Sequence, residues 1–443
     1  MNTVGFLALA HPDYISDGCA ADFTARARAA LEAGGISLSG SGKLLTDPGA
    51  AAEEARALLC EGCGGVILFF ATWIECPVAM AAVCELKQTP LFLWGFPMWT
   101  EGTQERSTGS YVSHAMFRGV LSRIGVPFAE ALGMPEDAPT VGRALTFCRA
   151  ASAKARLNRT KIGLVGYTSM SIYTGTFDHV LMRWLIGPEI EQSDSYSLIQ
   201  SAERFSKEEK DAAAALLKEK AVCSPSIRPE RLEKAMGLYL AIEELKREKR
   251  LDAINIKCQY EFSKEYGMTV CVPLSLAADE SFVASCEGDI LCTVSMLILQ
   301  YLTGQVIGYG DAITHEGGTM KLSPCGFMPY QLAAAQPLVD VFEAEGFSGL
   351  QNCFTMKPGR VTVFRLIEDV GTYHMLCAAG EGLATTKLRS GRFPALDVVL
   401  DCDPASLFAQ CAGQHFALCY SDVTRELETL ASMLGIGFVK VTD

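Results

Sequence analysis

The stretch from Ser281 to Asp311 most constrains what this chain can fold into, because it reads as strand, helix, strand. Phe282 to Cys286 is a short apolar run stopped by Gly288. Leu291, Val294, Ile298 and Leu302 then recur at spacings of three and four, the period of a helix with one buried face. Gln305 to Tyr309 is a second short run, stopped by Gly310. If the two runs are parallel neighbours, about 4.8 Å apart, they end on one edge of a sheet with Glu287 and Asp311 side by side. Two carboxylates at such tips, each beside a glycine that admits close approach, suit a hard divalent cation. A plainer reading of the same pattern is that the acidic residues cap the helix that follows.

The length, 443 residues, allows two or three domains. The net charge is −13, with no clustered basic stripe, so nucleic acid is not an expected partner. The amino terminus, Met1-Asn2-Thr3-Val4-Gly5-Phe6, lacks the basic start and apolar stretch of a secretory signal. No run of about 18 apolar residues suggests a membrane span, so the expected setting is cytoplasmic. Seventeen cysteines are scattered among apolar runs, as reduced core residues would be. The pair Cys60 and Cys63 invites a redox or zinc reading but has no second pair to complete a zinc site.

Along the chain, residues 1–155 alternate strand and helix as an α/β domain with a parallel sheet does. Expected strands are Thr3 to Ala10, Val66 to Ala71 and Pro90 to Phe96, with helices from Ala21 to Glu32 and Pro77 to Lys87. Trp73 follows one of these strands and can pack on a sugar face, or can serve as an interface or core residue. Gly40-Ser41-Gly42-Lys43-Leu44 lacks the first glycine and the Ser or Thr of a phosphate loop, and no Gly-x-Gly-x-x-Gly follows a strand. A second α/β domain, residues 156–303, begins at the strand Lys161 to Gly166 and carries Glu287. Residues 304–443, carrying Asp311 and His415, form a third region whose texture changes after about residue 312 to glycine-broken β runs, read as an antiparallel sheet or small barrel. The last elements are a β run from His415 to Tyr420, a helix from Asp422 to Leu434 capped by Ser421 or Asp422, and a strand, Gly437 to Val441.

A cation held by two carboxylates commonly takes an imidazole as well, and of six histidines His415 is best placed, after Gly413-Gln414 and at the start of a late β run. A structural histidine is the alternative. With these residues in view, the chain resembles the L-fucose isomerase and L-arabinose isomerase superfamily of metal-dependent aldose–ketose isomerases. The resemblance lies in Cys286-Glu287-Gly288-Asp289 followed by an apolar helix and Leu-Thr-Gly, in Tyr309-Gly310-Asp311, and in Gly413-Gln-His-Phe-Ala-Leu-Cys-Tyr followed by Leu430-Ala-Ser-Met-Leu-Gly-Ile. It implies two Rossmann-like domains and a C-terminal β-barrel-like domain, in a homo-oligomer whose first domain completes a neighbour's active site. It also implies Mn²⁺ on Glu287, Asp311 and His415, a substrate-contacting amide at Gln259, and Trp73 near an aromatic that reaches the neighbour's sugar. The arabinose branch has a further histidine ligand, whereas the matching stretch here reads Leu322-Ser323-Pro324-Cys325-Gly326.

The reading that follows is an isomerase that converts an aldose to its ketose on a divalent metal, with Glu287 and Asp311 also moving protons. Which carboxylate is the base stays open, as does a hydride shift. Two other classes are a non-catalytic sugar-binding or regulatory relative of the same fold and a redox protein using Cys60 and Cys63.

Overall fold

Short apolar runs in the amino-terminal part become parallel strands: β1 (Val4–Leu9), β2 (Val66–Phe70), β3 (Leu91–Gly95) and β4 (Phe128–Leu132). They pair side by side in that order in the computed structural model, and two short strands, Leu38–Ser39 and Leu44–Leu45, add to the free side of β1. The structure describes residues 3–16, 18–279, 282–344, 347–385 and 393–441. Ser281, the first residue of the constraining stretch, lies outside them. Strand residues such as Leu7, Leu68 and Leu93 are fully buried against Leu58, Val83 and Phe117 of the flanking helices Pro48–Cys60, Cys76–Glu85 and Ser110–Ile124. These elements belong to one of two compact units, Met1–Arg156; the other is Leu157–Asp443.

The second unit contains a parallel sheet of β5 (Lys161–Val165), β6 (Glu189–Ser193), β7 (Ala253–Ile256) and β8 (Val283–Cys286), in the order β6-β5-β7-β8. A set of antiparallel strands follows: β9 (Gly308–Glu316), β10 (Thr319–Ser323), β11 (Gly359–Asp369), β12 (Thr372–Leu383), β13 (Leu396–Leu400) and β14 (His415–Cys419). Their pairings run β11-β14-β9-β10-β13-β12 and return to β11, so the ring closes and leaves none of the six with two free edges. A last strand, β15 (Gly437–Lys440), adds to β12 in parallel. The protein is thus mixed α/β, with parallel and antiparallel sheets.

Two local expectations need correction. The strand after the apolar helix starts at Gly308 and belongs to the antiparallel ring, so Glu287 and Asp311 are not tips of neighbouring parallel strands. A short apolar run does not specify its partner, and here β14, far along the chain, takes that place. The carboxy-terminal helix runs Thr424–Leu434 with Val423 at its N-cap and no side-chain cap; Asp422 accepts from the Thr424 amide instead.

The helix between β8 and β9, Ile290–Thr303, differs from the expected one-faced helix: almost every residue is buried. It packs against β7 and β8 on the one hand and against β11 and β14 on the other. A helix placed between two sheets has no polar face to present, which explains its unbroken apolar sequence.

Candidate active site

Glu287 follows directly on β8. Its backbone is left-handed, with φ of 70°, at a cost of about 1–2 kcal/mol for a non-glycine residue. The turn is held by Asn255 of β7, whose Oδ1 accepts from the Gly288 amide at 2.7 Å. The Asn255 Nδ2 lies within 3.2 Å of Cys286 O and Asp289 O, and closer to the hydroxyls of Ser285 and Thr293. Gly288 must be glycine: its φ is +74°, and a Cβ there would lie 2.6 Å from Thr168 Cα.

Asp311 and His415 come from the ring, where β9 and β14 place them directly opposite each other. The three side chains converge. His415 Nε2 lies 3.2 Å from a Glu287 oxygen and 3.3 Å from an Asp311 oxygen, in good hydrogen-bond geometry with neither. The opposite ring nitrogen, Nδ1, donates to Asp289 Oδ2 at 2.8 Å, so in the neutral ring the lone pair is on Nε2, facing the two carboxylates. Tyr309 packs against the imidazole, ring centroids 4.8 Å apart.

Asp289 was not singled out from sequence, and it does two things. Its Oδ1 accepts from the Cys292 amide and caps the helix Ile290–Thr303. Its Oδ2 orients His415 and accepts from Arg365 Nη1 at 2.9 Å. Arg365 is itself fully buried and also donates to the carbonyls of His415 and Thr174. A Cβ on Gly413 would meet this guanidinium at 2.5 Å, which accounts for the glycine just before Gln414 and His415. The plainer capping reading therefore applies, but to Asp289. The sequence signal for its second role was the acid two residues beyond Glu287, which capping alone already explained.

These charges set the site's electrostatics. Burial resists charge on Asp289, but Arg365 and His415 hold its carboxyl well below the usual carboxylate range. Burial likewise opposes charge on His415, yet Asp289, Asp311 and Glu287 together raise its pKa well above the ordinary imidazole value. The pocket demands positive charge.

A divalent cation fits that demand. Neighbouring ligands of an octahedral ion bound at about 2.1 Å stand about 3 Å apart, close to the separations found around His415 Nε2. Oxygen and imidazole donors suit Mn²⁺. Glu287 also has soft neighbours: Cys258 Sγ, Cys286 Sγ and a Glu287 oxygen lie within 4.8 Å of one another, all buried. Hydrogen bonding with Cys258, and then burial, keep the Cys286 thiol protonated, so this trio suits a hard cation less well.

Gln259 joins the site, its Nε2 3.4 Å from Glu287 Oε1. Trp73 lies in the first unit, half-buried, with ring centroids 5.2 Å from His11 and 6.2 Å from Tyr14. His315 is exposed and stacks on Phe408. Cys60 is exposed, and burial raises the pKa of Cys63, opposite to what a reactive thiol pair needs.

No family model matches the chain. Curated relatives do. A sulfoquinovose isomerase of Priestia aryabhattai is 25% identical over 366 residues, 81% of each chain. Those of Alkalicoccus urumqiensis and Clostridium sp. (strain MSTE9) are 26% and 27% identical, over 344 and 316 residues, covering 75% of each chain and 69% and 70% respectively. The chain is similar to sugar isomerases. These relatives support the expected enzyme class, an aldose–ketose sugar isomerase, while the superfamily placement rests on the motifs quoted above. Among solved structures, a galactofuranose binding protein covers 69% of this chain and 90% of its own at 12% identity with a TM-score of 0.18, too low to carry any argument.

Proposed function

We propose that this protein is a divalent-cation-dependent aldose–ketose isomerase working through an enediol, with Glu287, Asp311 and His415 as ligands and Mn²⁺ as the cation. The observation that carries the reading is the meeting of two carboxylate oxygens on one imidazole nitrogen, on a ring whose other nitrogen is tied to a third carboxylate. A bound cation would polarise the sugar carbonyl and offset the charge developing on its oxygens. The chain's own groups do the rest. One of the pair Glu287 and Asp311 removes the proton from C2 of the open-chain aldose; a proton returned to C1, with the O2 proton passed to O1, leaves the ketose. Gln259 steadies Glu287 and presents an amide to the sugar hydroxyls. Asp289 and Arg365 keep His415 from turning.

Sulfoquinovose, an aldohexose carrying a sulfonate at C6 and the substrate named for the relatives, is the first sugar to test on this chain. We also assign a homo-oligomer in which Trp73 of one subunit reaches the sugar of another. In the second unit, Tyr173 and Trp184 are 82% and 83% exposed, the kind of apolar surface that subunit contacts cover. A cytoplasmic setting belongs to the same reading, supported by cysteines that are all free. The test is ketose formation from a panel of pentoses, hexoses and their deoxy and acidic derivatives, with Mn²⁺ and after chelation. Turnover that chelation abolishes is expected; no ketose from any sugar with Mn²⁺ present rejects the proposal.

A further inference from the structure

We propose that Lys257 is the counter-ion for a sulfonate at the far end of the substrate, so that the site selects a sulfonated aldose over its neutral counterpart. This rests on the isomerase reading above and adds a second contact point to the same site.

The placement comes from sheet register. Ile256 pairs with Cys286 on one side and Val165 on the other. The residues that follow, Glu287, Lys257 and Gly166, therefore form a row across the carboxyl-terminal edge of the sheet, about 4.8 Å per strand. An open-chain six-carbon sugar spans about 6 Å between C1 and C6, from five bonds of about 1.5 Å in zigzag, so one anchored at Glu287 can reach past the next strand tip. The segment after Gly166 links the two places: where Gly288 lacks a Cβ, Tyr167 O and Thr168 Cα crowd in at 2.6 Å.

Lys257 is fully buried, and its stem runs beside Gly166, where a Cβ would lie 3.1 Å from Lys257 Cβ. Its Nζ sits 3.5 Å from the centroid of the Tyr167 ring and 2.5 Å from Glu261 Oε2. A buried ammonium needs a partner, yet this partner's side chain is 36% exposed and the covering Tyr167 is 59% exposed. Both side chains hold the ammonium from the solvent side. Both face a cavity of about 530 Å³, which Gln192, Asp194 and Tyr196 also line, the Asp194 carboxylate accepting from the Ser197 amide and hydroxyl. A sulfonate entering from this side takes the place of Glu261, whose carboxylate swings into water. A neutral sugar gains nothing from that exchange, because it would leave the ammonium buried and alone. The tie to Glu261 then also prevents an unpaired charge when the site holds no sulfonate.

The experiment compares sulfoquinovose with quinovose, its neutral 6-deoxy counterpart, in wild type, Lys257→Met, Lys257→Arg and Glu261→Gln, all with Mn²⁺. Removing the charge is expected to lower kcat/KM for sulfoquinovose at least about tenfold and leave quinovose within about twofold, with the loss mainly in KM. Lys257→Arg should restore most of the preference, and Glu261→Gln should leave the KM for sulfoquinovose unchanged or lower. Equal losses for both sugars in Lys257→Met, or an unchanged preference, overturn the proposal. Should wild type turn over neither sugar, the isomerase reading itself has failed, and thermal melts decide the subsite alone: sulfoquinovose stabilises wild type and not Lys257→Met if the subsite exists, and stabilises both or neither if it does not.

Discussion

Glu287→Gln keeps the side chain's volume and one oxygen but loses the charge and the base. Turnover should fall by about 10²- to 10⁴-fold while circular dichroism and the apo melting temperature hold, and the Mn²⁺-induced rise in Tm should shrink. His415→Ala should behave differently, losing metal affinity first and regaining part of its activity at high Mn²⁺; a Tm shift with Mn²⁺ as large as wild type would place the cation elsewhere. His114 gives a pH test in the first unit. Burial holds its pKa below the usual 6.5, with Glu130 opposing and Arg118 assisting. The unfolded chain then takes up the proton first, so this contribution to stability is complete above pH 6.5 and is lost as pH falls below it. The urea midpoint should drop between pH 7 and pH 5, and His114→Gln should flatten that slope. At this scale the sequence showed Glu287, Asp311 and His415 because glycines and apolar runs frame them. Lys257 was hidden, since a lysine at a strand end looks like any solvated charge; only the buried ammonium sets it apart.

The helix Ile290–Thr303 was legible from the spacing of Leu291, Val294, Ile298 and Leu302, but its surroundings were not. Periodicity reports apolar positions without saying that two sheets will cover both sides. The strand misassigned to the parallel sheet failed for a related reason: hydrogen-bond partners of β9 lie on β10 and on the distant β14, and no local signal names them. Asp289 ties the helix to these elements. In Asp289→Ala the helix loses its cap and Arg365 is left buried without its carboxylate, so unfolding in urea should show a loss of about 3–5 kcal/mol. A loss under 1 kcal/mol would mean that Arg365 finds another partner.

For the molecule as a whole, alternation of strand and helix foretold a mixed α/β chain, and the change of texture after about residue 312 foretold antiparallel strands. What composition could not foretell is closure, which depends on pairing β11 with β12 and with β14. No helix among the described residues is long and apolar enough to cross a membrane. If subunits share sites, activity per chain should fall on dilution in step with dissociation followed by sedimentation; a fully active monomer would contradict the shared site. The seam between β9 and β14 has a further consequence, one of timing. It joins Asp311 to His415, which are 104 positions apart (415 − 311), so a chain emerging from the ribosome owns both carboxylates long before it owns the imidazole. If the proposed cation binds there, its capture must wait until residue 415 is made, and a product cut short before residue 415 would lack the seam and the imidazole together.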